Sequence, residues 1–268
     1  MGYIENNYIS ANFIEHEIYF KGNYGARGEK RAERKKPTPL EIKKNNHWNK
    51  VKYYRRLMQL NFYPGDLWVC LKYKAGTRKE IGLVKQDLKA FFGRLRILYK
   101  RQGQKLMYIY RLEIGKRGGL HFHLVVNRIP DCDLLMRDAW TRASDECGAI
   151  DFQTIDDSGG FKSLADYLCK EPDEEIQGQM KFLIPEEKKK VYAVNSSRNL
   201  KRPEPVRKKY SHWTLKRILR DEEIIRATEG FYVDKDTVKR GINKFTGMSY
   251  LYYTEVRVKK KKRGDTDG

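Results

Sequence analysis

From Lys105 to Pro130 the chain reads KLMYIYRLEIGKRGGLHFHLVVNRIP, two β-like runs joined across a glycine-bearing turn. Successive side chains of a strand alternate between faces, so the pattern specifies two surfaces at once. Phe122, Leu124 and Val126 point to one side, while His121 and His123 project together from the other. A hairpin turning symmetrically about Arg117 sets Glu113 across from His121 and Arg111 across from His123. Directly opposed side chains share a face with their Cβ atoms about 5 Å apart. The apolar face requires cover from helices, and one carboxylate and two imidazoles converge on the opposite face.

The surrounding sequence supplies that cover. DLWVCLKY, from Asp66, reads as a strand between Pro64-Gly65 and Gly76. In EIGLVKQDLKAFFGRLRILYK, Val84, Leu88, Phe91, Phe92, Leu95 and Leu98 recur at helical spacing and form one buried stripe. Leu134 to Glu146 predicts a second amphipathic helix, and Ile150 to Ile155 a strand. GFKSLADYLCKEP predicts a short helix between Gly159-Gly160 and Pro172, and KVYAVNSSRNL a fifth strand. The expected fold is α+β: a mainly antiparallel sheet of about five strands, helices packed on one face, the site on the other, open face.

Outside this region the chain is strongly basic. Lys and Arg number 56 against 35 Asp and Glu, a formal charge of +21, which marks a polyanion-binding surface. A ribosomal protein would satisfy that charge equally well. From Arg27 to Arg56 there are twelve Lys or Arg against three Glu, with Trp48, Tyr53 and Tyr54 interleaved. Aromatic rings among cations suit single-stranded nucleic acid, on which bases stack while the cations follow the phosphates. The expected organisation is a basic arm over residues 1–57, mobile from Arg27 to Arg56 and ending there in a short helix, a folded domain over 58–203 and a basic extension over 204–268. Within that extension Thr214 to Ala227 predicts a helix, SYLYYTEVRVK a strand and KKKKRGDTDG a disordered tail. No apolar run approaches the roughly 18 residues of a membrane span, and the N-terminus lacks the pattern of a signal peptide. Four cysteines, Cys70, Cys132, Cys147 and Cys169, lack the CxxC spacing of a zinc site and read as reduced thiols.

Glu113, His121 and His123 form a three-ligand set for a divalent ion, with positions left for water and a phosphate oxygen. On the helix from Phe161 to Glu171, Tyr167 falls at the edge of the apolar arc made by Phe161, Leu164, Ala165 and Leu168, with Lys170 one turn further along. Such a tyrosine is either trim on a packed face or a nucleophile. For the second role its phenol, with a reference pKa near 10, needs a cation close by.

At these residues the chain resembles the HUH endonucleases, the rolling-circle replication initiators of plasmids, phages and small circular single-stranded DNA viruses. It is most similar to the replication-associated branch related to filamentous phage gene II proteins. LWVCLKY at 67–73, HFH at 121–123 with Glu113 upstream, and YLCK at 167–170 look like the three motifs of that family in its order, and NSSRNLKRP at 195–203 is similar to a segment that follows its nuclease core. The resemblance implies that Tyr167 is the nucleophile, that Glu113, His121 and His123 hold Mg²⁺ or Mn²⁺, and that Lys170 assists at the phosphate or metal. It implies nicking of single-stranded origin DNA through a 5′-phosphotyrosine, with rejoining of ends, in the cytoplasm of a bacterial host. Lys116, Arg117, Arg198, Lys201 and Arg202 are the expected DNA contacts, and a host helicase and DNA polymerase the expected partners. A single tyrosine on the helix allows one covalent adduct per subunit. Nothing matches GxxxxGK followed by Ser or Thr, so neither ATP nor a helicase domain is expected.

Two other classes compete. A single-tyrosine transposase or relaxase shares the chemistry. A non-enzymatic binder with an RNA-recognition-like sheet shares the architecture, but would place aromatics where this chain has Glu113, His121 and His123, and a glutamate there repels phosphate unless a cation intervenes.

Overall fold

In the computed structural model the described residues are 2–22, 30–115, 119–171, 193–221 and 225–258. Lys116 and Arg117, at the hairpin turn, and the tail from Lys259 lie outside them. The elements run as β1 (Tyr3–Ile9), β2 (Phe13–Phe20), α1 (Pro39–Asn61), β3 (Leu67–Tyr73), α2 (Ile81–Arg101), β4 (Tyr108–Ile114), β5 (Leu120–Val126), α3 (Cys132–Thr141), β6 (Cys147–Thr154), α4 (Lys162–Cys169), β7 (Asn195–Ser196), β8 (Val206–Tyr210), α5 (His212–Arg220), β9 (Phe231–Asn243) and β10 (Met248–Arg257). Among the described residues the protein is mixed α+β, with two antiparallel five-stranded sheets and five helices. The chain divides into two compact units, Lys50–Lys201 on one hand and Met1–Asn49 with Arg202–Gly268 on the other. Among the described residues no helix is long and apolar enough to cross a membrane.

The unit Lys50–Lys201 holds the sheet β6-β3-β5-β4-β7. Its central hairpin takes the expected register, Glu113 opposite His121 and Arg111 opposite His123. Val69, Leu71, Phe122 and Leu124 turn to one face, where Leu88, Phe91 and Leu95 of α2 and Met136 and Trp140 of α3 cover them. Tyr99, rather than Leu98, takes the last buried position of α2. Trp140 is fully buried, with its ring edge-on to Tyr73 at 5.3 Å and to Phe91 at 5.8 Å. Helix α3 stops at Thr141 instead of reaching Glu146, because β6 already begins at Cys147. Gly148 lets β6 pass close to β3: a Cβ there would lie 2.9 Å from the Lys74 amide nitrogen.

The second face is not open along its whole length, as the sequence led us to expect. Ile109 and Val125 are paired on that face, and they bury themselves against Leu57, Met58 and Phe62 at and after the end of α1 and against Ala165 and Leu168 of α4. The reason is a change of character along the strands. At the Ile109–Val125 end the face is apolar and takes helices, whereas at the Glu113–His121 end it is polar and stays accessible. Helix α4 is thereby laid beside the histidines.

The other unit corrects the reading of the chain's ends. Residues 3–20, expected as part of the basic arm, form β1 and β2, and the expected basic extension supplies the other three strands of the sheet β8-β1-β2-β10-β9. Ile18 and Leu251 of the sheet bury against Leu215 and Ile218 of α5. At the same sheet's polar end His16 lies 2.8 Å from Glu5 and 3.3 Å from Glu255, and stacks on Tyr253 at 4.3 Å. The expected short helix at the end of the arm is the 23-residue α1, which spans the boundary between the units. Its start is a capping box: the Thr38 amide donates to Glu41 Oε2 at 2.9 Å, and the Glu41 amide to Thr38 Oγ1 at 3.3 Å.

Candidate active site

The strand β3 shows the alternation that builds the site. Leu67, Val69, Leu71 and Tyr73 are buried in the core, so Trp68, Cys70 and Lys72 face the other way. Cys70 pairs with His123 and Lys72 with His121 on one side, and Cys70 pairs with Asp151 on the other. These residues, with Glu113, Gln153 and Tyr167, line a cleft of about 470 Å³. The His121 ring lies against Gly115, where a Cβ would come within 3.3 Å of its Cε1.

Helix α4 delivers Tyr167 to this cleft. Its hydroxyl donates to Glu113 Oε2 at 3.0 Å and lies 3.3 Å from His123 Nε2, and that nitrogen is itself 2.8 Å from Glu113 Oε2. Tyr167 is 43% exposed, so a ligand in the cleft has access to it. Trp68 fixes the neighbouring rings, stacking parallel to His123 at 5.3 Å and meeting Tyr167 edge-on at 5.5 Å.

The electrostatics follow from this crowding. The hydrogen bond from His123 holds the Glu113 carboxyl at about 2, against the opposing effect of burial. Burial works to lower the His123 pKa, but Cys70 and Glu113 outweigh it and push it up to about 9. His121 is lowered, first by burial and then by the neighbouring charges of His123 and Lys72. Burial, then the charge of Glu113, pushes the Tyr167 phenol up to about 12. As it stands the tyrosine is protonated at neutral pH, and a cation beside Glu113 would reverse the charge it senses.

The donor chemistry of Glu113, His121 and His123 fits a divalent cation, with one carboxylate and two imidazoles on one face of a hairpin and a cleft in front of them. Among the described residues no three His, Cys, Asp or Glu side chains converge tightly enough to hold an ion as they stand, since Glu113 is turned onto His123.

Arg111, opposite His123, was not singled out by sequence as a site residue. It is buried, and its Nη1 donates to the carbonyl oxygens of Tyr167 at 3.2 Å and Leu168 at 3.1 Å. It therefore fastens the last turn of α4, and with it Tyr167, to the sheet. Arg111→Met is expected to cost about 2 kcal/mol of stability through the lost charged hydrogen bonds. Thermal melting measures that loss.

Lys170 is exposed at the end of α4, where its amide donates to the Tyr167 carbonyl, and it does not line the cleft. Arg198 and Lys201 are exposed on a segment tied to β4 and α1: the Ser197 amide donates to the Tyr108 carbonyl, and Lys201 exchanges two hydrogen bonds with the Asn61 side chain. Arg202 is exposed and falls at the start of the other unit's second segment. Trp68, Cys70, Lys72 and Asp151 also escaped the sequence reading. The alternation of β3 was the signal for the first three, since only its apolar half was needed to recognise a strand, and Asp151 stands opposite Cys70 on β6.

Residues 66–172 match a family model described as replication-associated protein ORF2/G2P. The matched segment runs from just before β3 to just beyond α4 and contains every residue placed in the cleft. The resemblance read from the three motifs is borne out over this stretch, which is similar to replication-associated proteins of the ORF2/G2P kind. No curated protein and no solved structure matches.

Proposed function

We propose that the protein is a replication initiator that nicks single-stranded origin DNA by transesterification, with Tyr167 as nucleophile. The observation that carries the reading is the Tyr167 hydroxyl 3.0 Å from Glu113 and 3.3 Å from His123, at the mouth of a cleft wide enough for a phosphate diester. A divalent cation, Mg²⁺ or Mn²⁺, bound by Glu113, His121 and His123 would draw charge from a non-bridging phosphate oxygen.

The protein's own residues do the rest. Arg111 and Trp68 hold the phenol against the sheet, so that attack on phosphorus draws on a prepaid orientation. The Tyr167 oxygen bonds to phosphorus as the bond to the 3′ oxygen breaks; the phenol gives up its proton and the departing oxygen gains one. The products are a 5′-phosphotyrosine and a free 3′-OH. One ester replaces another, so no ATP is consumed, and a later 3′-OH can reverse the step and close a circle. By the resemblance Lys170, one residue past α4, would assist at the phosphate or the metal, although its side chain does not line the cleft as it stands. The free 3′ end would prime a host polymerase behind a host helicase.

The test uses single-stranded oligonucleotides from the origin, labelled at the 3′ end, incubated with the full chain and Mn²⁺. A labelled band resistant to boiling in detergent is expected, with the nucleotide mass on the tryptic peptide Ser163–Lys170. Label released without an adduct, or an adduct on another peptide, overturns the reading.

A further inference from the structure

Helix α5, in the unit formed by the chain's two ends, has two unlike sides. Leu215 and Ile218 are buried against the sheet, the Ser211 side chain accepts from the Thr214 amide at the helix start, and Arg240 donates to the Ile218 carbonyl near its end. His212 stacks on Tyr3 at 6.0 Å. The helix is therefore seated firmly, and its outward side is fixed. That side carries Trp213, Lys216, Arg217 and Arg220, which at spacings of three, four and seven residues fall on one stripe, all of them exposed. Trp213 is 67% exposed, the most exposed large hydrophobic side chain among the described residues. Lys216 lies over its ring, with Nζ 5.7 Å from the centroid.

We propose that this stripe is a second binding surface, distinct from the cleft, for single-stranded DNA: an unpaired base stacks on Trp213 while Lys216, Arg217 and Arg220 take the flanking phosphates. Folding accounts for only part of the stripe. Arg217 and Arg220 in the last turn favour the helix dipole, but an indole left 67% exposed on a helix whose apolar residues are already buried adds nothing to the core, and Lys216 beside Arg217 and Arg220 raises the local positive charge. Both features become favourable against a polyanion with an exposed π-face, since base stacking on an aromatic contributes about 1–3 kcal/mol and each phosphate contact releases counterions. A duplex hides its base faces, so the tryptophan selects unpaired strands. The strand β8, which leads into α5, adds Arg207, Lys208 and Lys209 at the sheet edge, all exposed. The inference rests on the proposed function only for the choice of DNA.

The test is fluorescence anisotropy of a labelled oligo-dT, a duplex and an oligo-U of equal length, binding the full chain in the Tyr167→Phe background so that no strand is cut. Trp213→Ala should weaken oligo-dT binding about tenfold, Trp213→Phe should recover most of it, and duplex binding should hardly change. The triple variant Lys216→Gln, Arg217→Gln, Arg220→Gln should lower the slope of log affinity against log salt by about 2. Unchanged oligo-dT affinity in Trp213→Ala, an equal loss with Trp213→Phe, or an equal loss on duplex overturns the stacking surface. A larger loss on oligo-U than on oligo-dT overturns the assignment to DNA, and a change in sedimentation alone makes the stripe an interface between protein copies. Failure of the nicking reading would show separately, as a missing adduct in the wild-type chain with these binding losses intact.

Discussion

Tyr167→Phe is expected to leave no detergent-resistant adduct on 3′-labelled DNA and to lower cleavage by about 10⁴-fold or more, because in the proposed reaction the substitution deletes the atom that attacks phosphorus. The variant separates chemistry from architecture cleanly. Phenylalanine retains the ring that meets Trp68 and His123 edge-on, at 5.5 Å and 5.3 Å. Only the hydroxyl contacts with Glu113 and His123 are lost, on a residue that is 43% exposed, so the stability change should stay within about 1 kcal/mol. DNA affinity should be retained, since phosphate contacts from Lys and Arg do not depend on the phenol. The measurement is a paired one, adduct yield in denaturing gels and anisotropy on the same oligonucleotide. An adduct that persists in the variant would assign the nucleophile elsewhere among the tyrosines.

How much of this was legible in the sequence differs between the two units, and for a physical reason. The hairpin register followed from period-two alternation alone, because Phe122, Leu124 and Val126 commit one face to the core and leave His121 and His123 no choice of side. Helix α2 was equally plain, its buried stripe running from Val84 to Tyr99. Strands β1 and β2 gave no such signal. Their buried positions include Asn6, Asn7, Glu15 and His16, polar groups that hydrophobic periodicity assigns to the surface. They are tolerated because some are satisfied by distant partners, His16 by Glu5 and Asn6 by Tyr19, as Glu255 beside them is by the Thr228 amide. The partial closure of the second sheet face was missed for a similar reason. Ile109 and Val125 stand on the same side as the site but four residues from Glu113 and two from His123, and the covering helix α1 was read as part of a basic arm. Arg111 could be placed opposite His123 from the register, but its bonds to the α4 carbonyls depend on where α4 docks, which no local pattern encodes.

Glu113→Gln is expected to reduce cleavage by about 10³-fold while oligonucleotide affinity stays within about twofold of wild type. The substitution keeps an oxygen that can accept from the Tyr167 hydroxyl and removes only the negative charge. That charge has two consequences in the protein as it stands, raising the Tyr167 phenol and supporting the protonated form of His123. Deleting it makes the phenol easier to ionise, so a tyrosine that needed only to lose its proton would become faster. A ligand set that needed its carboxylate to hold a divalent cation would become slower, and the loss should shrink as Mn²⁺ is raised. His121→Ala sharpens the comparison, because His121 lines the cleft without hydrogen-bonding the Tyr167 hydroxyl. Both variants should shift the Mn²⁺ concentration for half-maximal cleavage upward, by about tenfold or more. If Glu113→Gln slows cleavage with an unchanged Mn²⁺ dependence and His121→Ala cuts at the wild-type rate, the carboxylate acts on the phenol alone and the cation assignment fails. If both lose DNA binding in step with cleavage, the two residues hold the fold of the cleft rather than its chemistry.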